Sequence, residues 1–394
     1  MAEVKTFTDA QVEGKRVLCR VDFNVPLDGT TVTDDTRIQA ALPTIQNLIS
    51  RGAKLVLCSH LGRPSGTGYE EKFSLAPVAA YLGQVLNQPV AFATDTIGES
   101  ARTTVAALNN GEVALLENLR FDKREKKNDP EFAKALASLA DIYVNDAFGA
   151  AHRAHASTAG VAAYLPAYAG ALMTKEVSTL TSMLDEPQRP FVAILGGSKV
   201  SDKVAVIDAL IDKCDTLIVG GGMCFTFLAA QGYSVGTSLM EADWTERAAA
   251  MLEKAKAKGV EFLLPYDVVC AAEFANDAKQ LTCGIDAIPD DMMGLDIGPA
   301  SVKAYASAIA KAKTVFWNGP MGVFEMPSYE AGTKGVALAV AANKQASTII
   351  GGGDSVAAVN KFNLASEMTF ISTGGGASME LVQGEALPGV EALK

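Results

Sequence analysis

The sequence predicts an α/β protein of two doubly wound, parallel-sheet lobes joined by an interdomain helix. Four apolar, β-branched runs in the second half break into consecutive glycines. Phe191–Leu195 runs into Gly196-Gly197, Thr216–Val219 into Gly220-Gly221-Gly222, Ser347–Ile350 into Gly351-Gly352-Gly353, and Met368–Ile371 toward Gly374-Gly375-Gly376. Uninterrupted apolar runs suit parallel strands covered on both faces. Similar runs in the first half end instead in Arg, His, Asp and Asn. Between the halves, Met173, Val177, Leu180 and Leu184 recur at helical spacing before Pro187 and Pro190 stop the pattern.

Taken in order, strands are expected at Arg16–Val25, Lys54–Ser59, Pro89–Ala93, Val113–Glu117 and Asp141–Val144, with helices Arg37–Ser50, Ala76–Leu86 and Pro130–Ala140 between them. Strand–helix alternation of this kind builds a parallel sheet through crossover connections. The expected division is residues 1–170 for the first lobe, 171–188 for a joining hinge helix, 189–378 for the second lobe and 379–394 for a C-terminal tail. A chain of 394 residues has the length of two domains.

Bulk composition excludes several classes of function. With 34 Lys and Arg against 45 Asp and Glu, the net charge of −11 argues against a general nucleic-acid or anionic-membrane binder. An anionic ligand must therefore be held by local positive groups. Cys19, Cys58, Cys214, Cys224, Cys270 and Cys283 form no CxxC pair, and buried free thiols in a reducing cytoplasm are expected. The segment MAEVKTFTDA lacks an apolar signal region, and a cytoplasmic location is expected. Ala154–Thr174 is uncharged apart from its histidine, but its Ala content, His155, Ser157, Thr158 and Pro166 argue against a membrane span.

Chemistry gathers at the strand ends. In an extended Arg20-Val-Asp22-Phe23-Asn24, Arg20, Asp22 and Asn24 would share one face. The next strands lead into Ser59-His60-Leu61-Gly62-Arg63, Glu117-Asn118-Leu119-Arg120, and Asn145-Asp146 followed by His152-Arg153 and His155. Arg37, Arg63, Arg120 and Arg153 thus fall at or beyond the same edge of one sheet, where ligands of open α/β sheets bind. Arginine forks suit carboxylate and phosphate, so a small polyanion is expected. His152 and His155 lack a third His or a nearby Cys, and metal ligation by them is not expected.

In the second lobe, Gly196-Gly197-Ser198-Lys199 reads as a helix opening that would place Lys199 and Lys203 on one face at its positive end, an arrangement that favours a phosphate ligand. Asp354, directly after Gly351-Gly352-Gly353, is placed either to cap the following helix or to hold Mg²⁺ on nucleotide phosphates. Asn318-Gly319-Pro320 adds a polar amide to the same rim. There is no GxxxxGK[ST], no HRD or DFG, and no GxGxxG with an acidic partner. A dinucleotide-dependent oxidoreductase and a two-lobed anion-binding protein are the alternatives. The missing GxGxxG counts against the first, and a lysine pair beside a second anion site against the other.

The segments RVDFNVP (20–26), SHLGRP (59–64), LLENLRF (115–121), YVNDAFGAAHRAH (143–155), ILGGSKVSDK (194–203), GGGMCFTFL (220–228), WNGPMGVFE (317–325), GGGDS (351–355) and STGGGAS (372–378) together resemble the phosphoglycerate kinase family. The resemblance implies two lobes with the tail packed back on the first. It implies reversible, Mg²⁺-dependent transfer of the acyl phosphate of 1,3-bisphosphoglycerate to ADP, giving 3-phosphoglycerate and ATP, by a monomer whose hinge closes. By the same resemblance, Asp22, Phe23, Asn24, His60, Leu61, Gly62, Arg63, Arg120 and Arg153 would bind the glycerate substrate. Arg37, Lys199, Gly375 and Gly376 would stabilise the phosphoryl group in flight. Gly220, Gly221, Gly222, Leu239, Gly294 and Glu325 would line the adenosine site, and Lys203, Asn318, Gly352, Gly353, Asp354 and Ser355 would meet the nucleotide phosphates, with Asp354 at the metal. Ser198 and Ser355 stand where the resemblance leads one to expect Ala and Thr.

Overall fold

Six strands form the first sheet: β1 (Arg16–Arg20), β2 (Lys54–Cys58), β3 (Val90–Phe92), β4 (Val113–Leu115), β5 (Ile142–Asn145) and β6 (Ala167–Ala169). Their order is β3-β4-β2-β1-β5-β6, and every pairing is parallel. The chain builds outward from β1 on one side and then crosses to β5 on the other, so the topology reverses between β1 and β5. The side chains of β1, β2, β4 and β5 are almost all buried, as the apolar runs require. This computed structural model describes residues 4–394.

Most expected boundaries in this lobe lie within a few residues of the structure, and the helix Ala76–Leu86 matches, ended by Asn87 at φ 51°. The strand expected to reach Val25 stops at Arg20. Beyond it, the Phe23 amide donates to Ser59 Oγ (2.8 Å) and the Asn24 amide to Asp22 Oδ1 (3.2 Å), so side-chain hydrogen bonds replace the ladder. Burial nonetheless alternates along the loop, with Val21, Phe23 and Val25 buried. Arg20 is wholly buried, whereas Asp22 and Asn24 are half-buried in the loop.

The second sheet comprises β7 (Phe191–Leu195), β8 (Thr216–Val219), β9 (Glu261–Leu263), β13 (Thr314–Asn318), β14 (Ser347–Gly351) and β15 (Phe370–Ile371). It is all parallel in the order β9-β8-β7-β13-β14-β15. This is the dinucleotide-fold order, with its switch point between β7 and β13. Between β9 and β13 the chain inserts an antiparallel sheet of β10 (Asp267–Ala271), β11 (Gln280–Gly284) and β12 (Met293–Ile297). The sequence reading did not foresee it, because the residues of β11 are exposed or half-buried and offer no apolar run. Trp317 is fully buried in the core of this lobe, with Ile194, Val315 and Ile350 in the same cluster.

The chain divides into two compact units, one of residues up to Thr179 together with Ala386–Lys394, the other Leu180–Glu385. The helix Ala171–Asp185 passes from one unit into the other, and Met173, Leu180 and Leu184 of its apolar stripe are buried. The last residues return to the first unit, where the Gly389 amide donates to the Ala151 carbonyl at 2.8 Å. All six cysteines are free and only Cys283 is not buried. Burial pushes the Cys58 and Cys214 thiols up to about 12. Among the described residues, no helix is long and apolar enough to cross a membrane.

Candidate functional site

Loops after β1, β2, β4 and β5 bring the predicted cationic residues to the carboxyl edge of the first sheet. Arg120 donates from Nη1 to the Gly62 carbonyl (2.8 Å), while its buried Nε has no partner. Arg37, on the first turn of the helix Thr36–Ser50, donates from Nη1 to Asp22 Oδ2 at 2.8 Å. Asn24 Oδ1 accepts the Gly62 amide at 2.8 Å and so ties the first loop to the second. Arg63 and Arg153 are exposed, the latter with its Nε 3.0 Å from His152 Nε2. Phe23 and Leu61 have buried side chains, which leaves their backbone as the part able to face a ligand.

The electrostatics describe positive charge in excess of its counter-ions. Burial, reinforced by Arg20 and Arg153, lowers the Arg120 pKa to about 10. Burial, then Arg20, Arg120 and Arg37, push His60 well below its ordinary value, and burial with Arg120 and Arg20 brings His155 to about 4. A bound anion would relieve each of these strains at once. Glu125 is the buried counter-charge, and it accepts both the amide (3.0 Å) and the hydroxyl (2.5 Å) of Ser157. Sequence reasoning missed it because Lys123-Arg-Glu-Lys-Lys127 reads as a solvated charge run, yet Glu125 is fully buried.

At the switch point of the second sheet, backbone approaches backbone. A Cβ on Gly196 would lie 2.0 Å from the Pro320 carbonyl oxygen, and one on Gly319 would lie 2.2 Å from that of Gly196. No other residue fits this contact. Two cavities open beside it. The larger, of about 790 Å³, is mostly apolar and includes Gly221, Gly222, Phe225, Leu239, Gly294 and Glu325 in its walls. The smaller, of about 320 Å³, carries Lys199, Lys203, Asn318, Asp354 and Ser355 beside the glycines of 352–353 and 375–376. Ser198 and Asp354 line both. Gly220 lies next to these walls, and a Cβ there would strike the Met321 sulfur at 2.5 Å.

One expectation here is corrected. Lys199 and Lys203 do not share a helix face, because the helix begins only at Val204. Glu241 accepts the Ser201 amide (2.9 Å) and hydroxyl (2.6 Å) and holds the intervening segment as a turn. Lys199 is exposed; Lys203 is half-buried, its Nζ bonded to Asn318 Oδ1. Burial lowers the Lys203 pKa against the pull of Asp354 and Asp202. The other Asn318 amide atom donates to the Gly351 carbonyl at 2.8 Å, and Ser355 Oγ accepts the Gly319 amide at 2.5 Å. Asp354 lies exposed in the first turn of the helix Gly353–Lys361. Among the described residues, no three acidic, His or Cys groups converge as a closed metal cage. One hard carboxylate at a phosphate-sized cavity fits Mg²⁺, which commonly takes its remaining ligands from phosphate and water.

Arginines gathered at the carboxyl edge of one doubly wound sheet, and two cavities at the switch point of another, are a layout suited to phosphoryl transfer. The phosphoglycerate kinase family model matches residues 7–385. Phosphoglycerate kinase of Synechococcus elongatus is 60% identical over 392 residues, covering 98% of this chain and 97% of that protein. That of Rippkaea orientalis is 58% identical, covering 99% and 98%. Among solved structures, phosphoglycerate kinase from Coxiella burnetii superposes with a TM-score of 0.93 at 45% identity, covering 99% of each chain. The Pyrococcus horikoshii enzyme gives 0.84 at 32% identity, covering 99% and 98%. The chain belongs to the phosphoglycerate kinase family.

Proposed function

We infer that the chain catalyses reversible, Mg²⁺-dependent transfer of the acyl phosphate of 1,3-bisphosphoglycerate to ADP, giving 3-phosphoglycerate and ATP. The observation that carries the reading is the positive charge gathered around buried Arg120 in excess of the counter-charges Glu125 and Asp22, with the Arg120 Nε lacking a partner. Such a cluster calls for a phosphate or carboxylate ligand. Asp22, Asn24 and the backbone at Phe23, Leu61 and Gly62 bind the glycerate, and His60, Arg63, Arg120 and Arg153 its non-transferring phosphate. The adenosine lies in the larger cavity against Gly220–Gly222, Leu239, Gly294 and Glu325. Lys203, Asn318 and Gly352–Ser355 take the nucleotide phosphates, with Asp354 placed to hold Mg²⁺. The ion neutralises charge on the phosphate oxygens.

The attacking or leaving group is a carboxylate, already ionised near neutral pH, so the chemistry needs no general base. What it needs is alignment and stabilisation of a loose phosphoryl transition state. Arg37, Lys199 and the amides of Gly375 and Gly376 supply that charge. Since the two substrates are assigned to different units, the units close about the helix Ala171–Asp185 to bring them together. Both sites belong to one chain, so a monomer suffices, and six free thiols suit a cytoplasmic location.

The test is a coupled assay with ATP, Mg²⁺ and 3-phosphoglycerate, in which added glyceraldehyde-3-phosphate dehydrogenase reports acyl phosphate through NADH oxidation. Turnover that requires Mg²⁺ supports the reading. A folded protein that binds nucleotide but gives no turnover would refute the assigned acceptor and leave the nucleotide site standing.

A further inference from the structure

Of the two buried histidines, His60 and His155, His60 is the one whose ring state the structure fixes. Arg20 Nη2 lies 3.0 Å from His60 Nδ1. A guanidinium only donates, so Nδ1 must be the acceptor, and the ring is neutral with its proton on Nε2. Arg20 cannot roll to escape this bond. Its Nη1 donates to the Val21 carbonyl and its Nε to Ser157 Oγ at 2.9 Å. Having accepted from Arg20, that hydroxyl donates a hydrogen bond to Glu125 Oε1 at 2.5 Å, and the Ser157 amide donates to Oε2 at 3.0 Å. Arg20, Ser157 and Glu125 are all fully buried. Among the described residues, none is hydrogen-bonded to His60 Nε2, on the opposite edge of the ring.

We propose that Glu125, Ser157 and Arg20 form a positioning relay that locks His60 as the Nε2–H tautomer, a neutral donor kept for the ligand. Glu125 and Ser157 act through Arg20 and are not catalytic residues. The groups that face His60 come from four places: Arg20 on β1, Arg37 on the helix Thr36–Ser50, Arg120 after β4, and His155 after β5. Each opposes protonation of the ring. A histidine that bound phosphate by charge would release it as pH rose through the ordinary imidazole range, whereas a neutral donor holds through that range. The tautomer assignment stands on geometry alone; its bearing on 3-phosphoglycerate rests on the reading in the preceding subsection.

The first arm of the test uses the unaltered protein. Long-range ¹H–¹⁵N NMR of the histidine-labelled full chain is recorded from about pH 5.5 to 8.5, the range in which an ordinary histidine titrates. His60 is assigned by the resonance lost in His60→Asn. A non-titrating ring with a bare Nδ1 and a protonated Nε2 is expected. An ordinary titration, or a proton on Nδ1, overturns the proposal. In Ser157→Ala the relay is cut away from the ligand; His60 should become a mixture of tautomers, and KM for 3-phosphoglycerate should rise about tenfold while KM for ATP and kcat stay within about twofold. An unchanged His60 spectrum in that variant also overturns the relay, and Glu125→Gln is read the same way should Ser157→Ala fail to fold. Finally, 3-phosphoglycerate added to the unaltered, active protein should shift the Nε2 resonance. No shift would refute His60 as a ligand of this substrate while leaving the tautomer assignment intact.

Discussion

Arg37 stands on the first turn of its helix with one guanidinium nitrogen 2.8 Å from Asp22 and 38% of its side chain open to solvent. Such a residue is aimed but not used up, since a planar fork with one nitrogen engaged still has donors to offer. Arg37→Ala should lower kcat by roughly 10³, as loss of an arginine finger does. Arg37→Lys keeps the charge but not the fork, so most of that loss should remain, and near-full activity in the lysine variant would reduce Arg37 to a point charge. His155 sets a pH dependence of stability. Burial and the neighbouring arginines bring its folded pKa to about 4, below the ordinary imidazole value of 6.5, so the unfolded chain binds the extra proton between these values. Its contribution is present above about pH 6.5 and is lost as pH falls toward 4, by at most about 1.4 kcal/mol per pH unit. Asp146 and Asp296, raised by burial to about 6 and about 7, slope the opposite way over much of the same window. Against wild type, His155→Asn should therefore gain relative stability in denaturant unfolding as pH is lowered from 7 to 4.5. The arginines and His60 were legible because they cluster in loops after apolar runs. Glu125 was not, because its partner Ser157 lies 32 positions away and nothing local marks it as buried.

Among the elements, the glycine-ended strands were legible because a fully buried parallel strand needs an unbroken apolar run and a close backbone approach needs glycine. Gly319 makes the point testable. It has φ +96°, and a Cβ there would meet the Gly196 carbonyl oxygen at 2.2 Å, an atom of the backbone that cannot rotate away. Gly319→Ala should destabilise the second unit by roughly 1–3 kcal/mol and weaken nucleotide binding measured by calorimetry. Unchanged affinity would separate the switch point from the nucleotide site. The segment from Lys199 to Lys203 escaped the sequence because Glu241, a tertiary partner 40 positions on, selects a turn where local pattern suggested a helix. The antiparallel insert Asp267–Ile297 escaped because partly exposed strands lack the apolar signature that marks buried ones.

At the scale of the molecule, the proposed closure about the helix Ala171–Asp185 predicts a smaller radius of gyration by small-angle scattering when 3-phosphoglycerate and nucleotide are present together, relative to either alone. An unchanged radius would argue against closure. The tail gives a second prediction. Leu387, Val390 and Leu393 are 1%, 5% and 1% exposed, and burying such side chains is worth roughly 1.5–3 kcal/mol each. Deletion of residues 386–394 should destabilise the first unit by several kcal/mol. Both tryptophans, Trp244 and Trp317, lie in the second unit. The deletion should thus shift the urea transition seen by circular dichroism while the tryptophan fluorescence transition stays in place; a common shift would mean the units unfold as one.

The return of Ala386–Lys394 to the first unit also orders events during synthesis. The ribosome makes most of the first unit early, yet the residues that close it emerge after the whole of Leu180–Glu385. The second unit is continuous in the chain and can finish folding on its own schedule, whereas the first must wait, with the surface that will receive Leu387 and Val390 open to water and to chaperones. A nascent chain stalled before residue 386 would therefore carry a finished second unit and an unfinished first one. Residues made after the second unit thus act as a checkpoint on a unit begun before it.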